Sequence, residues 1–310
     1  MKSRAMLIAL ATVTGCATFD ESVSVLAGVR ISESGIRSVS PAISSSANMN
    51  QHPGVDGVQM NPDACSNRLV GNNQSVLDEL DSENIRLLNW NIRKGGDPNW
   101  TIDLADFQGD PDLMFFQEAS LGSSAWGVVT DDLYHSFSPG YRSRRSLTGV
   151  MTVSTAKPLT QCNFVTVEPW IRTPKATVIT EYGLTETNQT LLVVNIHAVN
   201  FTFGTRGFQE QIRQAQSVLD DHAGPILLSG DFNTWRRRRS EILVEITDSL
   251  GLETIQYDED NRKRVFGQPL DHIYVRGLEV LEATTRNVTS SDHNPMSARV
   301  RLRKNAQRSL

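Results

Sequence analysis

The 310-residue sequence has little cysteine and no surplus of basic charge. Its three cysteines, Cys16, Cys65 and Cys162, are too few for a cysteine-based metal cluster. The formal net charge is −5, and nine acidic but only three basic residues lie in positions 20–84, so residues 85–310 are close to neutral. A near-neutral region lacks the broad positive field that many nucleic-acid-binding proteins carry.

The sequence also lacks internal repeats and any apolar run long enough for a transmembrane helix. The short apolar run at residues 5–13 follows Lys2 and Arg4 and leads into VTGC, which ends at Cys16. This pattern resembles a bacterial lipoprotein signal over residues 1–16, so Cys16 is predicted to carry the lipid. Ala17 after Cys16 favours an outer-membrane lipoprotein that faces the periplasm. A plain secretory signal, which would give a secreted or soluble periplasmic protein, is the alternative.

The composition divides the remaining chain into three parts. Residues 17–84 are rich in Ser, Ala and Asn without a sustained apolar period, which predicts a flexible tether. Residues 85–303 are expected to form the folded domain, and residues 304–310 a tail. In an oxidising compartment Cys65 and Cys162 can form a disulfide, although the spacing allows two free thiols equally well.

Apolar runs typical of buried strands alternate with amphipathic helical segments from Ile85 onward. The predicted strands are Ile85–Asn91, Leu113–Gln117, Gly149–Ser154, Ala176–Tyr182, Leu191–His197, Ile226–Ser229, Asp271–Val275, Glu279–Thr285 and Met296–Leu302. Apolar positions at helical spacing predict one helix over Phe208–Leu219, with Gly224 as its stop, and a second over Ile242–Leu250. This mixture fits two stacked sheets with helices outside them.

Carboxylate, amide and imidazole groups gather where the predicted strands end or begin. The motifs are Trp90-Asn91-Ile92, Gln117-Glu118, Asn195-Ile196-His197, Gly230-Asp231-Phe232-Asn233, Leu270-Asp271 and Ser291-Asp292-His293-Asn294-Pro295. Each motif alone has an ordinary structural explanation, such as a turn or a cap. All six in one chain predict a single metal-assisted site at the rim of a sheet.

This ordered set resembles the endonuclease/exonuclease/phosphatase superfamily, which includes DNase I, exonuclease III and bacterial sphingomyelinases. The resemblance runs from about Ile85 to Leu302 and is closest to the YafD-like bacterial group, through VVNIHAVNF, GDFNTWRRRR, FGQPLDHIYVRGL and SDHNP. It implies a four-layer α/β sandwich, in which helices flank two stacked mixed β-sheets. It also implies a Mg²⁺- or Mn²⁺-dependent hydrolase acting on phosphoric ester bonds.

The resemblance assigns the metal to Asn91, Glu118 and Asp292. Carboxylate and amide oxygens are hard ligands, which suit Mg²⁺ or Mn²⁺ better than zinc. A carboxylate such as that of Glu118 at the end of a buried strand is costly unless a cation or hydrogen bonds compensate its charge. Standing alone, Glu118 would be interpreted as a helix-capping or surface residue.

The resemblance assigns catalysis to His197, Asp231, Asn233, Asp271 and His293. Asp231 is expected to hold the attacking water, and Asn233, which faces the same side in an extended segment, to support it or bind a phosphate oxygen. His197 is expected to contact the phosphate and protonate the leaving oxygen. Asp271 is expected to fix the tautomer of His293 and favour its protonated form. His293 would then activate water or stabilise charge on the phosphate oxygens.

Arg93, Lys94 and Asn195 are weaker candidates for phosphate contacts. The expected reaction is in-line attack of water on a phosphodiester without a covalent intermediate, by a monomeric protein held at a membrane through its N-terminal lipid. Nucleic acid is the leading substrate, and phospholipids, sphingomyelin and small phosphate esters are alternatives. A non-enzymatic binding protein is disfavoured, because binding alone does not require the complete set of motifs.

Overall fold

Two six-stranded mixed sheets form the body of the computed structural model, which describes residues 59–71, 78–107, 110–121, 133–144, 146–169, 171–202 and 204–304. In chain order, the strands are β1 Ile85–Asn91, β2 Leu113–Ser120, β3 Tyr134–Arg142, β4 Leu147–Ser154, β5 Thr160–Val167, β6 Pro174–Gly183, β7 Thr190–His197, β8 Ile226–Asp231, β9 Glu253–Thr254, β10 Arg264–Val265, β11 Gln268–Pro269, β12 Asp271–Arg276, β13 Leu278–Thr285 and β14 Met296–Leu302. One sheet has the order β13-β14-β1-β2-β4-β3 and the other β5-β6-β7-β8-β12-β9. A separate hairpin consists of β10 and β11.

Helices pack on the outer faces of both sheets, with Trp100 in contact with the first sheet and three of the four described helices on the second. The helices in the described residues are α1 Pro62–Ser66, α2 Trp100–Ala105, α3 Arg206–Asp220 and α4 Arg237–Ser249, with a 3₁₀ turn at Arg93–Gly95. Helix α3 buries Phe208, Ile212 and Leu219 at helical spacing, together with β7 and β8 residues, in one core cluster. A second cluster, which includes Leu87 and Leu227, fills the space between the sheets. None of the described helices is long and apolar enough to cross a membrane.

The strand register brings the predicted motifs to one edge. Strands β1 and β2 are parallel, with Asn91 opposite Gln117. Strands β7 and β8 are also parallel, with His197 opposite Asp231. Strand β12 runs antiparallel to β8 and places Asp271 opposite Asp231. Because parallel strands end at the same edge, the two sheets present their motifs to a common space.

The predicted tether over residues 17–84 is wrong for its last part. Residues 59–71 and 78–84 pack on the domain: Cys65 of α1 is disulfide-bonded to Cys162 of β5, and the backbone N–H groups of Val70 and Gly71 donate to the buried Glu181 carboxylate. Leu80 pairs with Leu184 in an isolated bridge. The folded part therefore begins well before Ile85, because a covalent bond and a buried carboxylate fix a segment of low apolar content.

The disulfide resolves the two states that the spacing leaves open for Cys65 and Cys162. The predicted signal peptide, Cys16 and residues 17–58 lie outside the described residues, as do most of the predicted tail, 305–310. The predicted stop at Gly224 is late, since α3 ends at Asp220 and is capped by the right-handed Asp221.

Candidate active site

Asp231 lies at the centre of the site, where the two sheets meet. It is the last residue of β8 and is buried, and its Oδ2 accepts a hydrogen bond of 3.0 Å from Nδ2 of Asn91 at the end of β1. The preceding Gly230 is required by the close approach of β7: a Cβ there would lie 2.0 Å from the carbonyl oxygen of Ile196. The first residue of the Gly-Asp motif thus lets β8 pack tightly enough to place Asp231 beside His197.

His293 and Asp271 form the expected pair. Nδ1 of His293 lies 2.8 Å from Oδ2 of Asp271, and its Nε2 lies 3.9 Å from Oδ2 of Asp231. Burial by itself lowers the pKa of His293, but the charges of Asp271 and Asp231 and the hydrogen bond that His293 donates to Asp271 outweigh burial and raise that pKa to about 10. The imidazole is therefore protonated at neutral pH and donates to Asp271.

Neighbouring segments fix the orientation of His293. Nε1 of Trp90 donates to its carbonyl oxygen at 2.9 Å, and the hydroxyl of Ser291 accepts from its backbone N–H. Ser291 also donates to the carbonyl oxygen of Asn91 at 2.6 Å. The Ser-Asp-His motif is thus attached directly to the end of β1, although two hundred residues separate them in sequence.

Asn233 supports Asp231 from the loop that follows β8. Its backbone N–H donates to Oδ1 of Asp231 at 2.9 Å, and its side-chain amide donates to the carbonyl oxygen of Ala198 at 3.0 Å. Its φ of 50° lies in the left-handed region, which Asn tolerates better than most residues. Burial raises the pKa of Asp231, and the charge of Asp271 adds to this, while His293, Lys175 and the Asn233 hydrogen bond oppose it.

Lys175 is a site residue that the motifs did not reveal. Its Nζ lies 2.7 Å from Nε2 of His197, and the same ring nitrogen lies 3.5 Å from Oδ2 of Asp231. Burial lowers the pKa of His197 well below its ordinary value, and the charges of Lys175, His293 and Lys94 lower it further. His197 is therefore neutral and accepts a hydrogen bond from Lys175, which differs from the expected role of His197 as the acid for the leaving oxygen.

The three predicted metal ligands lie on segments that meet at the end of β1. Glu118 follows Gln117, whose carbonyl oxygen accepts from Ile92, and Asp292 stands between Ser291 and His293, which both bond to β1. Strand β2 does not end at Gln117 as predicted: it continues to Ser120 through a bulge in which Glu118 has a φ of 52°. The bulge turns the Glu118 carboxylate out of the regular strand and leaves it half-buried, whereas Asp292 is exposed.

Two groups of side chains are candidates for holding a metal. Asp231, Asp271 and His293 each offer one ligand atom, and these atoms lie within 4.8 Å of one another. In this group Nδ1 of His293 is hydrogen-bonded to Asp271 at 2.8 Å, so the three side chains also form a hydrogen-bonded acid–base cluster. Asn91, Glu118 and Asp292 instead offer only oxygen as ligand atoms, which is the donor chemistry that Mg²⁺ and Mn²⁺ prefer.

Asn195 does not take the predicted phosphate-binding position. It is fully buried; its Oδ1 accepts from Nε2 of Gln117 at 2.8 Å, and its Nδ2 donates to the carbonyl oxygen of Met151 at 3.0 Å. Its amide thus links the two sheets, two residues deeper than His197. Arg93 and Lys94 are exposed in the 3₁₀ turn after Asn91, and Lys94 is close enough to affect the pKa of His197.

Arg239 is a buried residue that holds the loops of the site in place. Its guanidinium donates to the carbonyl oxygens of Val199, Asn200 and Asn233 at 2.7, 2.8 and 3.1 Å. These carbonyls belong to the loops that follow His197 and Asp231. The run of four arginines is the sequence signal, but the pattern alone does not show which of the four is buried.

Comparisons with known proteins identify the family. The model of the "Endonuclease/Exonuclease/phosphatase family" matches residues 88–293. A UPF0294 protein of Vibrio vulnificus is 37% identical over 226 residues, which cover 72% of this chain and 79% of the relative. A UPF0294 protein of Vibrio cholerae is 34% identical over 238 residues, covering 74% of this chain and 82% of the relative.

Solved structures show the same fold at low identity. The human Nocturnin catalytic domain with bound sulfate has a TM-score of 0.57 at 16% identity, covering 72% of this chain and 95% of that domain. ANGEL2, a 2′,3′-cyclic phosphatase, has a TM-score of 0.53 at 13% identity, covering 73% of this chain and 98% of its own. The predicted sandwich of two stacked mixed sheets is confirmed. The chain belongs to the endonuclease/exonuclease/phosphatase family, whose hydrolases act on phosphoester bonds.

Proposed function

We propose that the protein is a Mg²⁺- or Mn²⁺-dependent phosphodiesterase that cleaves nucleic acid. The observation that carries the proposal is the buried cluster in which Asp231 is approached by the protonated His293, by Asn91 and by the His197–Lys175 pair. Such a cluster places a base, an imidazolium and an ammonium around one point at the open edge of the sheets. A tetrahedral phosphate, whose charge grows during attack, suits this combination.

Each residue then has a definite task. Asp231 orients the attacking water and accepts its proton, and its raised pKa brings it closer to the working pH of a general base. The His293 imidazolium, held by Asp271, stabilises negative charge on a non-bridging phosphate oxygen. Lys175 offers a second positive charge beside His197. Asn91, Glu118 and Asp292 would hold a divalent ion, which would supply Lewis-acid stabilisation of the phosphate oxygens.

Nucleic acid is favoured over phospholipid by the cations at the edge of the site. Lys94 and Lys175 lie near His197, and Arg236 is exposed two residues beyond Thr234. The near neutrality of residues 85–310 limits contact to a few phosphates around the scissile bond, rather than a long duplex. Phospholipid hydrolysis remains the second candidate, because the predicted lipid at Cys16 would hold the enzyme at a membrane.

The metal proposal predicts the behaviour of Glu118→Gln. Wild-type protein should hydrolyse DNA or RNA with Mg²⁺ or Mn²⁺ and lose activity in chelator, and Glu118→Gln should need far more metal because a neutral amide binds it weakly. Glu118 is half-buried in a bulge, so the melting temperature of Glu118→Gln should differ little from that of wild type. Assays should compare DNA, RNA, sphingomyelin, phospholipids and phosphate monoesters, and calorimetry should measure Mn²⁺ binding. Full activity of Glu118→Gln in chelator would exclude this assignment.

We also propose that lipid at Cys16 anchors a monomeric protein at the periplasmic face of the outer membrane. Export is supported by the Cys65–Cys162 disulfide, since disulfides persist in oxidising compartments. The Cys16→Ser variant should appear in the soluble fraction or remain as unprocessed precursor. Fractionation and mass spectrometry of wild type and variant provide the measurement. A Cys16→Ser protein that is still processed and membrane-bound would contradict lipidation at this residue.

A further inference from the structure

The β10–β11 hairpin presents an exposed aromatic ring beside the site. Phe266 is 84% exposed, and it forms the turn with Gly267. Both turn residues have positive φ, 49° and 78°, a geometry for which hairpins prefer Asn-Gly. A side chain as large as Phe is disfavoured there in both conformation and solvation, so this position works against stability. Residues in such unfavourable backbone conformations cluster at active sites and ligand-binding sites.

The hairpin is attached to catalytic segments at both sides. The hydroxyl of Thr234, next to Asn233, donates to the carbonyl oxygen of Pro269 at 2.5 Å. The backbone N–H of Phe232 donates to Leu270, which precedes Asp271. The exposed ring is therefore held at the rim of the phosphoester site by the two strands that supply Asp231 and Asp271.

Trp235 and Arg236 extend this surface. The rings of Trp235 and Phe266 lie 6.4 Å apart, and the Arg236 guanidinium lies 4.3 Å above the Trp235 ring. The indole N–H donates to the side chain of Asn200 at 2.9 Å, which fixes the ring on the loop that follows His197. The three side chains, named here the aromatic rim, combine two π faces with one cation.

The charges around the aromatic rim distinguish between two occupants. Arg237 and Arg238 pair with Glu241, and Arg264 pairs with Asp260. Within the described residues, Arg236 makes no salt bridge. An anionic bilayer needs a cluster of unpaired cations and several apolar side chains, whereas this hairpin tip offers one highly exposed phenyl ring, flanked by the half-buried Val265 and by Gly267. The exposed Phe266 ring and the Arg236 guanidinium instead suit a single base with its phosphate.

We propose that the aromatic rim stacks the base of an unpaired nucleotide next to the scissile phosphate, which makes single-stranded nucleic acid the substrate class. This inference rests on the proposed nuclease function. Bases within a duplex are already stacked and paired, so their faces are not available to Phe266. A short contact of this kind also agrees with a domain that lacks a broad basic surface.

Phe266→Asn tests the proposal, because Asn suits the left-handed turn while removing the ring. For short oligothymidylate and oligouridylate strands, KM should rise by about 5- to 150-fold, the size of one base–aromatic stack, with kcat nearly unchanged. Fluorescence anisotropy in chelator should show the same loss of affinity without any turnover. The melting temperature should not fall, Phe266→Trp should retain affinity, and Val244→Ala, which removes an exposed apolar side chain from α4, should behave as wild type.

Three outcomes separate the inference from the proposed function. If wild type binds single strands through Phe266 but hydrolyses no nucleic acid, base stacking by the aromatic rim stands, whereas the nuclease proposal and the assignment of single strands as substrate both fail. If wild type cleaves normal and baseless strands equally and Phe266→Asn changes neither KM nor affinity, the stacking inference fails alone. Binding of wild type, but not Phe266→Asn, to phosphatidylglycerol vesicles would show that the aromatic rim contacts a membrane and would overturn it.

Discussion

His293→Ala and Asp271→Asn are each expected to lower kcat by about 10²–10⁴-fold, and the double variant to be little slower than His293→Ala alone. The reason is the 2.8 Å contact between Nδ1 of His293 and Oδ2 of Asp271, in which both side chains are almost fully buried. Without the carboxylate, the imidazole loses the largest influence that raises its pKa to about 10 and also loses its fixed orientation. The two residues therefore act as one unit.

Rates of all three variants with Mg²⁺ or Mn²⁺ should be measured together with thermal melts. Independent roles would appear as losses that multiply in the double variant. A different outcome is also recognisable, in which Asp271→Asn unfolds the domain while the folded fraction keeps normal activity. That result would make Asp271 structural, as its buried position opposite Asp231 in the sheet allows. Activity per folded molecule, obtained from the melts, distinguishes the two cases.

The sequence predicted the strand ends of the site well, because each apolar strand run ends where a polar motif begins. The residues at the ends of TLLVVNIH and ILLSGD were expected at one rim, and the parallel register of β7 and β8 places His197 beside Asp231. The pairing of Asp271 with His293 came from the family resemblance rather than from spacing. No local pattern connects a strand-initial carboxylate with a loop imidazole. Strand β12 belongs to one sheet and His293 precedes β14 of the other, so only the stacking of the two sheets brings Asp271 and His293 together.

The sequence did not show how far each strand residue lies from the open edge of the two sheets. Asn195 and His197 face the same side of β7, but His197 reaches the open edge and Asn195 lies between the sheets, where it is satisfied by Gln117 and Met151. Glu118 was expected at a strand end, and the structure places it in a bulge inside a longer β2. The alternation of side chains along a strand predicts which face of the sheet each one is on. How far a residue lies from the open edge depends on how the two sheets stack.

Segments with mixed polarity were also missed. Strand β3, YHSFSPGYR, contains Pro139 and Gly140 and was not predicted, because both residues are typical of turns. Strand β5, TQCNFVTV, was not predicted either, although Cys162 on it anchors residues 59–71 through the disulfide. These strands are stabilised by their neighbours β4 and β6, so their pairing is a tertiary property that local composition does not reveal.

Lys175 illustrates the same limit at the site itself, because it is the second residue of β6 and no motif flanks it. We expect Lys175→Met to lower kcat/KM by about 10²–10³-fold, the usual effect of removing one group that stabilises transition-state charge. Lys175→Arg should retain part of the rate. Lys157→Met is the matched control. Lys157 is exposed just beyond the end of β4, and this end of β4 pairs with the start of β2, at the edge of the sheet opposite the site.

A second measurement separates a direct role of Lys175 from a structural one. The ammonium lies 2.7 Å from Nε2 of His197 and is, after burial, the next cause of the low pKa of that imidazole. In Lys175→Met the pKa of His197 should therefore rise, without reaching its ordinary value because burial persists, and Lys175→Arg should keep it low. Metal-free NMR titration, with the His197 signal assigned through His197→Gln, measures this shift. If the pKa of His197 rises in Lys175→Met while kcat/KM stays unchanged, Lys175 influences only His197 and does not stabilise the phosphate. If the pKa of His197 does not change, the two side chains are not in contact in solution.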